Sequence, residues 1–334
     1  MIFPAEWEPH EATWLAWPHN ASDWPGKFAP IPWIYAEIVR RIAEGETVRV
    51  LTRPGARKVL EKSAVPLDRV QFLRIPTDRV WTRDSGPLFV RKDGKKAIAH
   101  FRFNAWAKYS DYKRDARIPE RAAKALGVPL LPVGDVVLEG GAIDVNGQGA
   151  LLATEECLLD PKVQVRNPGF TRGDYEKVFA STLGITRTIW LGRGIAGDDT
   201  HGHIDDIARF VSARAIVLCE EKNAQDPNHA PLRENKERLQ GTGFEVIALP
   251  MPQPVIFNGQ RLPASYANFY ICNAAVLVPV FADPKDRIAL GILSELFNDR
   301  EVVGIPARDL VWGLGTLHCL SQQEPRQPRP PEAG

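Results

Sequence analysis

The feature that most limits what this chain can fold into is an internal repeat. A short β-rich run ending on proline or glycine recurs five times: QFLRIP to Pro76, VPLLP to Pro132, RTIWLG to Gly192, EVIALP to Pro250 and VVGIP to Pro306. The intervals between these anchors are 56, 60, 58 and 56 residues. Each run follows a stretch with helical spacing of apolar residues. In GDYEKVFASTLG, Tyr175, Val178 and Phe179 form the stripe, with Asp174 as expected cap and Gly184 as stop. In DPKDRIALGILSELF, Ile288, Ile292 and Leu296 recur behind an expected cap at Asp283. After each anchor comes a polar segment: VWTRDSGP, VVLEGGAIDV, GDDTHGHIDDIARF, PASYANFYICN and LGTLHCLSQQ.

A second strand follows the first four polar segments, in KAIAHFRF, GALLATEECLL, ARAIVLCE and AAVLVPVF. The fifth lacks one, and the N-terminal EATWLAWP with the helix around WIYAEIVRRIAEG could complete it. Units of this length must bury one another's faces, and joining last to first removes the open sheet edges. The expected architecture is therefore one closed five-unit α/β domain over residues 1–323, with its polar segments converging near the axis. A two-domain α/β chain with coincidental spacing is the alternative. The stretch VRVLTRPGARKVLEKS has no place in this scheme, and the proline-rich residues 324–334 read as a disordered tail.

Composition narrows the function. Formal net charge is +1, so nothing favours nucleic acid, and no apolar run reaches membrane-spanning length. Glu6, Glu8 and Glu11 near the N-terminus do not make a secretion signal, which with four cysteines in no C-x-x-C pair suggests a cytoplasmic protein with reduced thiols. The composition leaves room for a homo-oligomer without specifying one.

The cluster DDTHGHIDD, around His201 and His203, is open to three readings. It is similar to the H-x-H-x-D-H signature of dinuclear metallohydrolases, but Asp206 stands where the last histidine belongs. It could also be a solvated loop. The third reading joins it to the other polar segments. Cys157, Cys219 and Cys272 sit in apolar strands and read as packed core thiols. Cys319 instead lies in a repeat segment whose counterparts carry Asp84, Glu139, and the pair His203 and Asp205. If equivalent positions surround one axis, a thiol, an imidazole and three carboxylates share a pocket.

In this order, WTRDSGP, LEGG, GHIDD followed by RF, and LHCLSQQ resemble the agmatine deiminase family, within the guanidino-group-modifying pentein superfamily. The opening EWEPHEATWLAWPHN resembles that family's N-terminus, so the likeness runs from about Pro4 to Gln323. It implies a five-bladed α/β propeller and hydrolysis of agmatine to N-carbamoylputrescine and ammonia without metal or organic cofactor. It also implies Cys319 as nucleophile, His203 as general acid and base, and Glu139, Asp205 and Asp84 as the carboxylates around the guanidinium. Trp81 could lie against the substrate chain, and Asp198 and Asp199 are candidates for its ammonium by nearness in sequence to His203.

The chemistry suits these residues. A guanidinium is planar and always charged, so carboxylates on several sides can fix its plane and leave the central carbon open. A thiolate attacks, and one histidine serves first as acid and then as base. The difficulty is that three carboxylates should raise the cysteine pKa, which suggests that the substrate cation helps ionise the thiol. Two positions depart from the family pattern, His201 before Gly202–His203 and Leu314 in a usually glycine-rich stretch. They leave open another guanidine, free or peptidyl arginine or an alkylguanidine. An amidinotransferase and a metallohydrolase using residues 201–206 are the other classes of function.

Overall fold

The computed structural model describes residues 1–52 and 55–327. Five of its sheets share one plan: a central strand with an antiparallel partner on one side and a parallel partner on the other. In four of them the antiparallel partner precedes the central strand through a tight hairpin, as in Leu88–Lys92 with Lys95–Arg102 and Ile143–Val145 with Ala150–Thr154. Ala208–Phe210 with Ala215–Glu220 and Tyr270–Ile271 with Ala275–Val280 follow the same rule. The parallel partners, Leu130–Val137, Arg187–Leu191, Glu245–Pro250 and Glu301–Pro306, arrive after a helical crossover. The central strands read as unbroken apolar runs because both faces are covered: Val276, Leu277 and Val278 are fully buried.

The fifth sheet joins the two ends of the chain. Ser321–Pro325 pairs antiparallel with His10–Ala16, with Gln323 opposite Thr13. His10–Ala16 pairs in turn, parallel, with Thr47–Leu51, which arrives through the helix Ile31–Ala43. The stretch left over in the sequence thereby finds its place, except Arg53 and Pro54, which lie outside the described residues. Thr47–Leu51 is the regular parallel partner, whereas Val70–Leu73, counted above as the first repeat run, is an added fourth strand. The closing strand also takes two residues assigned to the tail. Glu324 is 1% exposed and accepts hydrogen bonds from the Trp14 indole and Arg49, 2.9 and 2.8 Å, while 328–334 lie outside the described residues.

Two expected caps move. Helix Arg172–Leu183 is capped by Thr171, whose hydroxyl accepts from the Asp174 N–H while the Asp174 carboxylate accepts from the Thr171 N–H, a reciprocal capping box. Gly184 stops this helix at φ 74°, as expected. The later helix begins at Asp286, because Asp283 accepts from the backbone of Lys285 and Gln253 in the turn before it. Its inner face is Ala289 and Leu293, and Ile288 faces solvent at 50% exposure. Among the described residues no helix is long and apolar enough to cross a membrane.

Candidate active site

All five polar segments deliver a side chain to one buried centre. Asp84 comes from the short helix Thr82–Ser85, Glu139 from the end of the strand Leu130–Val137, and His203 and Asp205 from the turn Ile204–Asp206. Cys319 lies in the single helical turn Leu317–Leu320. The fourth segment supplies Asn268, a residue that sequence reasoning passed over.

Asn268 organises the thiol. Its amide donates to the Cys319 Sγ at 3.1 Å and to Asp206 at 3.0 Å, while its oxygen accepts from the Thr316 hydroxyl at 2.7 Å and the His318 N–H at 3.1 Å. The Cys319 thiol also faces Asp205 Oδ2 at 3.5 Å. Burial pushes the thiol well above its ordinary pKa, and Asp205, Asp206 and Asp84 push it further. The direction is the one expected from nearby carboxylates, but Asp206 takes the place expected of Glu139 among them.

His203 is 1% exposed, and neither ring nitrogen has a hydrogen-bond partner. Three carboxylates stand just beyond bonding distance: Asp84 at 3.8 Å, Glu139 at 3.9 Å and Asp205 at 4.0 Å. Burial alone would favour the neutral ring, but Asp84 and the neighbouring Cys157 and Glu139 prevail and hold its pKa well above the ordinary value. A charged imidazolium without a committed partner can give up a proton.

The carboxylates are held in different states. Burial would raise Glu139, but the Arg166 guanidinium, 3.0 Å away with both side chains fully buried, and His203 bring it down to about 2. Asp84 goes the other way, pushed up to about 6 by burial and by Asp205 and Glu139. It accepts from the Trp106 indole and the Gly141 N–H, both at 2.9 Å. Only glycine fits at 141, since a Cβ there would stand 2.6 Å from His203 Nδ1 and 2.7 Å from Asp84 Oδ1. In the adjacent pair, burial raises Asp206 well above the usual range, while His318 outweighs burial at Asp205 and keeps it ionised.

An extended segment would turn His318 away from the side of Cys319, but it sits in a helical turn and reaches inward. Nδ1 meets Asp205 at 2.7 Å and Nε2 meets Glu6 at 2.9 Å. Glu6 in turn pairs with Arg83 at 3.0 Å and Arg209 at 2.9 Å, all nearly or fully buried. Removing one member of such a group strands the others without water. Glu6→Ala is expected to destabilise the protein by about 3–5 kcal/mol, read by denaturant unfolding; a loss within experimental error would refute this supporting role.

Above the centre lies a cavity of about 310 Å³ lined by Asp23, Arg79, Trp81, Asp84, Trp106, Tyr109, Asp199, Leu314 and Cys319, among others. Trp81 and Asp199 thus stand where expected, with Asp199 accepting from Tyr109 at 2.6 Å and Lys108 at 2.5 Å. Asp198 does not line it. Its two oxygens accept from the backbone of Thr200, Gly202 and His203, so it shapes the loop that carries the histidine. His201 also turns away, at φ 63°, to meet Asp160 at 2.9 Å, so the two histidines do not share a metal site. Leu314 adopts φ 69°, where glycine is the easier residue, and lends its side chain to the cavity wall. Cys157 is not merely a core thiol, for its sulfur lies within 4.8 Å of ligand atoms of both Glu139 and His203.

A mixed α/β chain that gathers a buried thiol, an imidazole and several carboxylates from successive segments is a member of the guanidino-group-modifying pentein superfamily. The profile of the Porphyromonas-type peptidyl-arginine deiminase family matches residues 2–325, and the chain belongs to that family. It is 33% identical to an agmatine deiminase of Pseudomonas aeruginosa, over 96% of this chain and 95% of that one. A solved structure of a cysteine-to-serine variant of the C. jejuni agmatine deiminase, with substrate bound, is 31% identical with a TM-score of 0.92 over 98% of each chain. The agmatine deiminase of Enterococcus faecalis is 27% identical with a TM-score of 0.89 over 97% of this chain and 96% of that one.

Proposed function

We propose that this chain is a hydrolytic deiminase that converts agmatine and water to N-carbamoylputrescine and ammonia. The observation that carries the reading is a buried thiol, Cys319, and a buried imidazole, His203, that stand on either oxygen of Asp205, with the thiol in the wall of a cavity that also presents Asp23, Asp84 and Asp199. The likeness to agmatine deiminases over nearly the full chain supports it.

The guanidinium would enter between Asp84, Glu139 and Asp205, which bind its N–H edges and expose its central carbon. Its positive charge offsets the carboxylates that hold Cys319 neutral, and the thiol proton leaves toward Asp205, which the sulfur already faces. Thiolate attack forms a C–S bond and a tetrahedral adduct. His203 gives its proton to the departing nitrogen, the C–N bond breaks, and ammonia leaves an S-alkylthiouronium. The neutral imidazole then takes a proton from water, hydroxide adds to the same carbon, and the C–S bond breaks to release the urea. Asn268 steadies the sulfur each time it is ionised. We further infer that the five sheets are the blades of one closed five-bladed α/β propeller over residues 1–325, an inference supported by the pairing of Ser321–Pro325 with His10–Ala16. Four unpaired cysteines fit a cytoplasmic enzyme.

The cavity rim argues for a cationic tail. Among the described residues Arg79 is its one basic lining group and is already paired with Asp23 at 2.7 Å and Asp111 at 3.0 Å, while Lys108 reaches the rim only as the partner of Asp199 at 2.5 Å. The carboxylate of free arginine would meet Asp23 and Asp199 there. Ammonia release from agmatine, arginine, peptidyl-arginine and simple alkylguanidines tests the reading. Agmatine should exceed arginine in kcat/KM by about 100-fold or more, since like charges brought together cost several kcal/mol. Ammonia should appear without an added amine. Comparable turnover of arginine, or product only with an acceptor amine, would overturn it.

A further inference from the structure

We propose that Glu139, Cys157 and His203 form an inhibitory binding site for zinc, separate from the Cys319 thiol. One carboxylate oxygen, one sulfur and one ring nitrogen lie within 4.8 Å of one another, and the three residues are 0%, 2% and 1% exposed. This is the group of metal-ligating side chains so gathered among the described residues. The second, independent observation is the imidazole itself, which is buried with both nitrogens unpartnered.

The donor set is that of zinc: one nitrogen, one sulfur and one oxygen, with water completing a tetrahedron. Zinc–ligand bonds of about 2.0–2.3 Å place neighbouring donors roughly 3.3–3.8 Å apart. His203 Nε2 and Glu139 Oε2 stand 3.9 Å apart and the Cys157 sulfur lies within 4.8 Å of a ligand atom of each, so side-chain movements of up to about 1 Å close the site. Arg166 donates to both Glu139 oxygens, 3.0 Å to Oε1 and 3.3 Å to Oε2, and so orients the carboxylate as outer partners of metal-bound carboxylates commonly do. Asp84 and Asp205 add the negative field that draws a dication to the place where a guanidinium would lie.

Binding involves no redox step. The Cys157 thiol and the His203 imidazolium each lose a proton to solvent as the Zn–S and Zn–N bonds form, so affinity rises with pH. With its ring occupied, His203 can neither protonate the leaving nitrogen nor activate water. The site goes beyond the deiminase reading, because zinc binding can be measured without any substrate.

The test uses the full chain stripped of metal, with zinc stoichiometry from competition with a chromophoric chelator and Co²⁺ as the spectroscopic probe. One equivalent should bind, and the thiolate-to-cobalt charge-transfer band should persist in Cys319→Ala but vanish in Cys157→Ser. Zinc affinity should fall about tenfold or more in Cys157→Ser. Zinc should also halt ammonia release by the wild-type protein, and a chelator should restore it. Loss of the band in Cys319→Ala, its survival in Cys157→Ser, or the lack of stoichiometric binding would overturn the proposal. Should Cys157→Ser fold poorly, the Cys319→Ala spectrum decides the matter, because residue 157 is unchanged in it.

Discussion

Cys319→Ala is expected to abolish ammonia release from agmatine, with kcat falling by about 10⁴–10⁶, the scale on which enzymes lose activity when a covalent nucleophile is removed. The fold should survive. The side chain is small, and its contacts are one hydrogen bond from Asn268 and one to Asp205. Unchanged circular dichroism and thermal unfolding would separate lost chemistry from lost structure. Substrate should still bind, since Asp84, Glu139 and Asp205 are untouched, as the C. jejuni serine variant with bound substrate illustrates for that protein. Activity within tenfold of wild type would mean that the sulfur is not the attacking atom.

A cationic haloacetamidine is expected to alkylate Cys319 about 10²–10³ times faster than neutral iodoacetamide at pH 7, after correction for their rates with a free thiol. Burial and three aspartates keep the thiol protonated, so a neutral reagent meets a poor nucleophile. A cation at about 4 Å gains roughly 1–4 kcal/mol from each carboxylate, depending on the local dielectric, and stabilises the thiolate as it arrives. The sign of the pH effect follows from Asp84, raised to about 6. Above that value the carboxylate is charged and the cation's advantage is complete; as pH falls through it, the advantage shrinks. Equal corrected rates at pH 7 would show that the thiol is activated without help from the substrate's charge.

The repeat spacing carried most of the fold. Each polar segment follows a strand anchored on proline or glycine, and five such segments did meet in one place. What misled was local. Val70–Leu73 has the look of its counterparts but is an edge added beyond Thr47–Leu51, and spacing cannot tell an added strand from a regular one. The caps at Asp174 and Asp283 failed because each side chain had a nearer backbone donor to satisfy, and such competition is settled by one or two residues of register.

The site was legible where residue type and segment coincided, at Asp84, Glu139, His203, Asp205 and Cys319. Asn268 was hidden by its neutral amide among aromatic neighbours, although it was the polar side chain the fourth segment needed to match the others. His318 was hidden because alternation along a strand would separate it from Cys319, whereas the helical turn lets both reach Asp205. Arg166 carries no local motif, and although Glu6 and Arg209 lie within the quoted EWEPH and RF stretches, only the three-dimensional packing sets all three behind the centre. Asp198 shows the converse error, since nearness in sequence to His203 reflected a loop contact instead of a ligand contact.

The strand that follows Cys319 finds its hydrogen-bonding partner in residues 10–16, some three hundred positions earlier. Closing so long a loop is slow in folding terms. Residues 321–325 must therefore leave the ribosome before Cys319 can be set in place, so a nascent chain that stops short of them, however much of it has already folded, has no completed thiol pocket to offer the cell.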